Sequence, residues 1–401
     1  MDLPTFNEMF KQIITNFWLC GIPYDQSMCF RYYILMLLLA LQVLEEILFF
    51  ISRISPENFL ELTALAPCIG IGILAMLKIH DVAGKMPQIV SLTEQLQDLY
   101  KTIMNDPRKK AIVSDNIIWV QTLTKYFFLL NLVLISVFCF SILLIMLYVY
   151  VATGEVKLIL AFDILVPFRT DIWPTWLLVY THSIACGFIC VLYYTTVDAL
   201  YYNLSSHVCI HFTVLSNEIQ NLKATNDNLS ADLVDLVKRH QYLLRLSEDL
   251  EQIFTAINLY NVMFGSIEIC ALGFNIMTAD WTTLPGYVLF ILSELVQIFV
   301  MSVFGENILR EVSDAASLCE WYQMDQKSKK MILVAFQLCF LYFARSSVSS
   351  RRKPYLLLIQ NLCCMMYDSN IYCAVYFLQI ISTSWSYFTI LRTVYNSSEE
   401  V

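Results

Sequence analysis

Charge is scarce in this chain. Asp, Glu, Lys and Arg together make up 15% of its 401 residues, where an ordinary soluble domain carries about a quarter. The few charges sum to −9, without the basic surplus that a nucleic-acid binder needs, so no nucleic-acid partner is expected. Cysteine is present, thirteen in all, but none falls in segments 52–61, 152–174 or 278–284. That distribution gives no disulfide framework to an exposed surface. The first residues show no basic, apolar and then small-residue succession, so a cleaved leader is not expected. There is no Gly-rich phosphate loop, no H-E-x-x-H and no C-x-x-C, and so no sign of an enzyme or of a cofactor.

Apolar residues fill the space that charge leaves, at 58%. Seven runs approach membrane-spanning length: 32–51, 62–80, 126–151, 175–201, 254–277, 285–305 and 371–394. Each is close to the roughly 20 residues that a transmembrane helix requires. The expected fold class is all-α: one transmembrane domain of seven helices over 32–394. A segment 1–31 precedes it, anchor helices lie near 202–253 and 306–370, and a tail of 395–401 follows. Lys and Arg alternate between the connecting segments. Twenty-one lie before the first run, in 78–125, in 202–253 and in 306–355; Arg53, Lys157, Arg169 and Arg392 make up the rest. By the positive-inside tendency, the amino terminus is expected in the cytosol and the carboxyl terminus outside.

Several segments carry local signals. Residues 1–30 read as a cytosolic amphipathic lead-in. Pro67, Gly70 and Gly72 in the second span either loosen the helix or permit close packing. Ile89, Leu92, Leu96 and Leu99 recur at helical spacing in 78–125, which is read as cytosolic from Lys78 onward. The outer loop 152–174, with Phe162, Pro167, Phe168, Trp173 and Pro174, is expected to form an ordered cap. Spans four and five are expected to project well past the membrane on either side of a turn at 225–230. Residues 331–344 are apolar but too short to cross, and are assigned to a cytosolic or interfacial helix.

Three groups are candidates for chemistry. His207 and His211 stand at i and i+4, but no third ligand accompanies them, which favours a solvated helix face. Glu268 and Glu294 lie mid-way along spans five and six, the latter near Gln297. A carboxyl group in hydrocarbon faces either a ligand cavity or a packing partner. Phe138, Ser141, Ile142 and Ile145 share one face of span three, and Trp176, Tyr180 and Ile184 one face of span four. They either line an apolar small-molecule site or simply pack together. Cys186 and Cys190 are read as small buried hydrophobes, as are Cys363 and Cys364.

The order of several short motifs resembles the insect odorant receptor family, in its ligand-tuning branch. These are Gly21-Ile-Pro, the aromatic loop leading to Tyr180, Asp198 and Leu200 closing span four, and His240. Further on come Gln297-Ile-Phe, Gly305, Ala315-Ala-Ser, Trp321-Tyr322 and the terminal Thr383-Ser-Trp-Ser-Tyr-Phe-Thr-Ile-Leu391. Two departures stand out. Trp385 takes a position where the family usually has Tyr, and the stretch from Trp321 to Tyr387 exceeds the family's spacing, with an extra element near 338–360. The resemblance implies a multi-pass receptor in the dendrite membrane of a sensory neuron, in contact with membrane lipid. It implies a heterotetrameric, non-selective cation channel formed with the odorant co-receptor and opened by a small volatile odorant. The pocket would draw on Phe138, Ser141, Ile142, Ile145, Trp176, Tyr180, Ile184, Glu268 and Glu294. The gate would comprise Thr383, Tyr387, Ile390 and Val394, on the last span. A gustatory-type homomeric channel is the nearest alternative, and it lacks support from the terminal motif. A G-protein-coupled receptor would need the opposite charge bias.

Overall fold

A computed structural model describes residues 3–24, 28–55, 58–222, 229–279 and 283–318, with 382, 384, 386, 388 and 389. The described residues are all-α, in eight helices. These are α1 (Phe6–Cys20), α2 (Phe30–Ser52), α3 (Phe59–Gly84), α4 (Met86–Met104), α5 (Pro107–Thr153), α6 (Trp173–Gln220), α7 (Leu229–Thr278) and α8 (Leu284–Leu318). All but α1 and α4 are long and apolar enough to cross a membrane, and they coincide with the first six expected spans. The seventh span falls largely outside the described residues, as do 331–344, Cys363 and Cys364.

Local chemistry sets the helix limits. At α1, Thr5 accepts the Glu8 backbone N–H at 3.3 Å, and Glu8 Oε2 accepts the Thr5 N–H at 2.7 Å. This reciprocal pair satisfies two otherwise orphaned donors. The helix stops at Gly21, whose φ is +80° and whose missing side chain leaves room for the Tyr32 backbone; a Cβ there would sit 2.4 Å from Tyr32 N. Phe6, Phe10, Ile13, Phe17 and Cys20 form its buried face, the amphipathic pattern expected of the lead-in.

The 78–125 segment divides at Asp106, which caps α5 by accepting the Arg108 N–H at 2.9 Å, with Pro107 in the first turn. The third span is therefore the far half of a 47-residue helix, about 70 Å long. With α6 and α7 at 48 and 50 residues, three helices exceed the roughly 30 Å hydrocarbon core by more than twofold. At one end they bundle with α1 and α4. From Tyr193 to Ser216, α6 is buried nearly all round.

That bundle overturns two expectations. His207 and His211 are buried, not solvated. The His207 ring sits 4.8 Å from Phe6, 5.7 Å from Phe10 and 5.3 Å from Tyr100. Burial, followed by the neighbouring His211, pushes the His207 pKa down to about 3. Lys78 is likewise no cytosolic charge. It lies inside α3, fully buried, because α3 runs on to Gly84 and packs against α6 and α7. The charge alternation survives without it, since six basic residues remain in that segment.

Pro67 does not break α3. The glycines serve close packing: a Cβ at Gly72 would lie 2.7 Å from Val43 Cγ2 on α2, and one at Gly70 would lie 2.8 Å from Glu268 Oε1 on α7. The 154–172 loop is tied down. Leu165 donates its backbone N–H to the Glu45 carbonyl at 3.2 Å, and Ala161 and Ile164 are buried.

Candidate functional site

Two clusters collect the candidate residues. The first lies where α5 and α6 meet the 154–172 loop. Met146, Ala161, Trp176 and Tyr180 form its buried centre, with Ile142, Phe162 and Ile184 packed on it. Trp176 stacks on Tyr180 at 4.8 Å with planes 11° apart, and Trp173 meets Trp176 edge-on at 5.5 Å. Phe138 reaches the same group through Phe162, 5.1 Å away. The polar tips are turned onto backbone: the Trp176 indole N–H donates to the Ile159 carbonyl at 2.9 Å, and the Tyr180 hydroxyl to the Cys139 carbonyl at 3.0 Å. Ser141 donates to the Phe138 carbonyl of its own helix at 3.2 Å. Ile145 is half-buried on the same helix. With its donors satisfied, the cluster turns aromatic faces and aliphatic edges to one another, the chemistry of an apolar environment.

Glu268 and Glu294 do not join that group. They belong to a second cluster among α3, α6, α7 and α8, which is polar and almost fully buried. Lys78 Nζ stands 2.6 Å from Asp198 Oδ1 and 4.0 Å from the centre of the Tyr194 ring. Gln297 donates to Asp198 Oδ2 at 2.9 Å and to Asn261 Oδ1 at 3.2 Å. The Tyr194 hydroxyl reaches Glu294 Oε1 at 2.9 Å and also contacts Gln297. Ser293 donates to Asn131 Oδ1 at 3.1 Å, adding α5 to the network. Isolated charges in such a place are very unfavourable, so the ammonium, the ring face and the amides must compensate one another.

Sequence reasoning picked out Glu268, Glu294 and Gln297 but missed Lys78, Tyr194, Asp198, Asn131 and Asn261. The signal was there for Lys78 and Asp198: each is a charge inside an apolar helical run, which calls for a partner of opposite sign. Near the loop end of α2, Glu46 is also buried, accepting from Gln42 at 2.9 Å, while Gln42 accepts from Ser183 at 3.2 Å. The proposed gate residues Thr383, Tyr387, Ile390 and Val394 lie outside the described residues. Their neighbours are informative. Ser384 donates to the Ser266 carbonyl on α7 at 3.1 Å, and Phe388 is buried with Cys270 and Phe274.

Comparison with known proteins supplies a family. A sequence model described as 7tm Odorant receptor matches residues 58–339, ending where the extra element near 338–360 begins. The chain is 26% identical over 364 residues to putative odorant receptor 92a of Drosophila melanogaster, covering 88% of this chain and 84% of that protein. It is 22% identical to odorant receptor 67c of the same organism, covering 89% and 86%. Among solved structures it resembles the insect olfactory receptor OR5 from Machilis hrabei in complex with eugenol. The TM-score there is 0.72 at 13% identity, over 97% of this chain and 98% of that one.

Proposed function

The chain belongs to the 7tm odorant receptor family, and we propose that it is the ligand-tuning subunit of an odorant-gated cation channel. It is a multi-pass membrane protein and a receptor, not an enzyme. In this reading it assembles with the odorant co-receptor as a heterotetramer in the dendrite membrane of a sensory neuron. Its amino terminus lies in the cytosol and its carboxyl terminus outside. The observation that carries the reading is the family match over 58–339, joined to relatives that align along most of their own length.

The odorant is a small, neutral and largely apolar volatile, held by the α5–α6–loop cluster. Trp176, Tyr180, Phe138, Ile142, Ile145 and Ile184 supply its faces, and Ser141 one polar group. Glu268 and Glu294, buried in the separate polar cluster, lie outside this lining. The family resemblance favours such a ligand, and the bound eugenol of the Machilis receptor is a molecule of that size. Occupancy opens the channel by binding the open state more tightly than the closed one.

Thr383, Tyr387, Ile390 and Val394 line the pore, with Ile390 as the hydrophobic gate, which closes by dewetting. At helical spacing that stripe falls outside the face that Ser384 and Phe388 turn to α7. The test is whole-cell current in cells expressing this chain alone, the co-receptor alone, or both. Odorant-evoked cation current that requires both chains supports the tuning role; the same current from this chain alone overturns it. Ile390→Ala is expected to raise the ligand-free current of the paired channel, and an unchanged resting current would move the gate elsewhere.

A further inference from the structure

The polar cluster holds more acid than its ammonium can balance. Lys78 on α3 is engaged by Asp198 on α6 at 2.6 Å. Glu268 on α7 and Glu294 on α8 remain, each 1% exposed. Around them the other ionisable groups are Tyr194, Tyr202 and Cys190 on α6 and Cys68 on α3, none of which brings positive charge. Gln297 and Asn261 are neutral. Among the described residues, the cation that faces the pair is Lys78.

Hydrogen bonding makes the imbalance specific. Both Glu268 oxygens are buried, and among the described residues neither accepts an N–H or a hydroxyl. Their neighbour within hydrogen-bonding reach is the carboxyl group of Glu294. Two carboxylates are both acceptors, so they can meet in this way only with a proton between them. Tyr194 donates to Glu294 Oε1 at 2.9 Å, which leaves the negative charge on Glu294 and the proton on Glu268. The backbone of α3 closes over the Glu268 carboxyl at Gly70, where even a Cβ would come within 2.8 Å of Oε1.

We propose that Glu268 and Glu294 form a proton-binding site whose single shared proton joins α7 to α8. Removing that proton would set two like charges against each other and part the helices. The far face of α7 carries the Ser266 carbonyl, bonded to Ser384, and Cys270 and Phe274, packed on Phe388. A displacement of α7 therefore reaches the last span. That functional consequence rests on the pore assignment above; the proton site itself does not, and its test is independent of channel activity.

Infrared spectra of the purified full-length chain in lipid nanodiscs at neutral pH are expected to show a carboxylic-acid carbonyl band that shifts in deuterium oxide. E268Q, and separately E294Q, should each remove one carboxylic-acid equivalent from it, because glutamine supplies the N–H that the lone remaining carboxylate needs. Either variant decides if the other fails to fold. Spectra that keep the full band in a folded variant, or that lack it in the unsubstituted protein, overturn the proposal, as does a site stabilised by added sodium instead. In cells with the co-receptor, E268Q should retain odorant-evoked current within about twofold, whereas E268A at equal surface level should lose about tenfold or more, as expected for a vanished charge-assisted hydrogen bond. A glutamine that fails as completely as alanine would show that a negative charge, not a donor, is required there, and would overturn the shared proton.

Discussion

Lys78 and Asp198 join α3 to α6 through a 2.6 Å ion pair from which solvent is excluded on both sides. The pair is secured by the Tyr194 ring over the ammonium and by the Gln297 amide on the second carboxylate oxygen. Removing one partner strands a buried charge. K78M or D198N is therefore expected to lower stability by about 3–5 kcal/mol, while K78M combined with D198L recovers most of it. Thermal unfolding of the purified variants checks this. A double mutant no better than the singles would show that the pair contributes more than mutual neutralisation.

Gly72 lets α2 and α3 approach until a Cβ would lie 2.7 Å from Val43 Cγ2. A valine has little freedom to withdraw. G72A should cost about 1–3 kcal/mol through overpacking, and V43A in the same chain should restore much of the loss. Surface expression and melting temperature of the two variants and their combination read this out.

Trp176 fastens the outer loop by its bond to the Ile159 carbonyl. W176F keeps most of the ring but drops that bond, a loss of about 1 kcal/mol. Hydrogen exchange across residues 158–164 is expected to quicken about fivefold, with little change elsewhere. Uniform exchange across the chain would mean that the loop is held by other contacts.

Three buried histidines, His207, His211 and His240, make the helix bundle acid-sensitive. Burial lowers the folded-state pKa to about 3 for His207 and about 4 for His211 and His240, while an unfolded histidine titrates near 6.5. The unfolded chain binds protons first, so stability is complete above pH 6.5 and falls as pH drops. The decline amounts to about 1.4 kcal/mol per unit for each histidine and levels off below the folded values. H207F preserves the packing on Phe6, Phe10 and Tyr100 and should flatten this slope between pH 6 and pH 4. An unaltered slope would assign the sensitivity to other groups.

The spans were legible because an apolar run of span length has few other uses, and six helices coincide with the runs read from the sequence. Helix extensions beyond the membrane were legible only in part. The 3.6-residue pattern of 89–99 marked α4, but the break at Asp106 depended on one capping residue and one proline. Which side chains the bundle buries was not legible. His207 was assigned to solvent because a single helix gives no account of what packs against it, and here α1 and α4 close over it. The aromatic cluster followed from facing stripes on two adjacent helices. The polar cluster did not, because it draws one to three residues from each of five helices, and no single helix shows the set. Lys78 was assigned by its position near the end of a run, where charge usually meets water.

The central claim is direct gating of a cation conductance by odorant, and the most direct measurement is current in an excised patch. Membrane from cells expressing this chain with the co-receptor is held in a nucleotide-free bath while odorant is applied and removed. The account predicts a fast, reversible cation current that persists after excision, unaffected by adding or withholding GTP. A response that vanishes on excision and returns with GTP would contradict it.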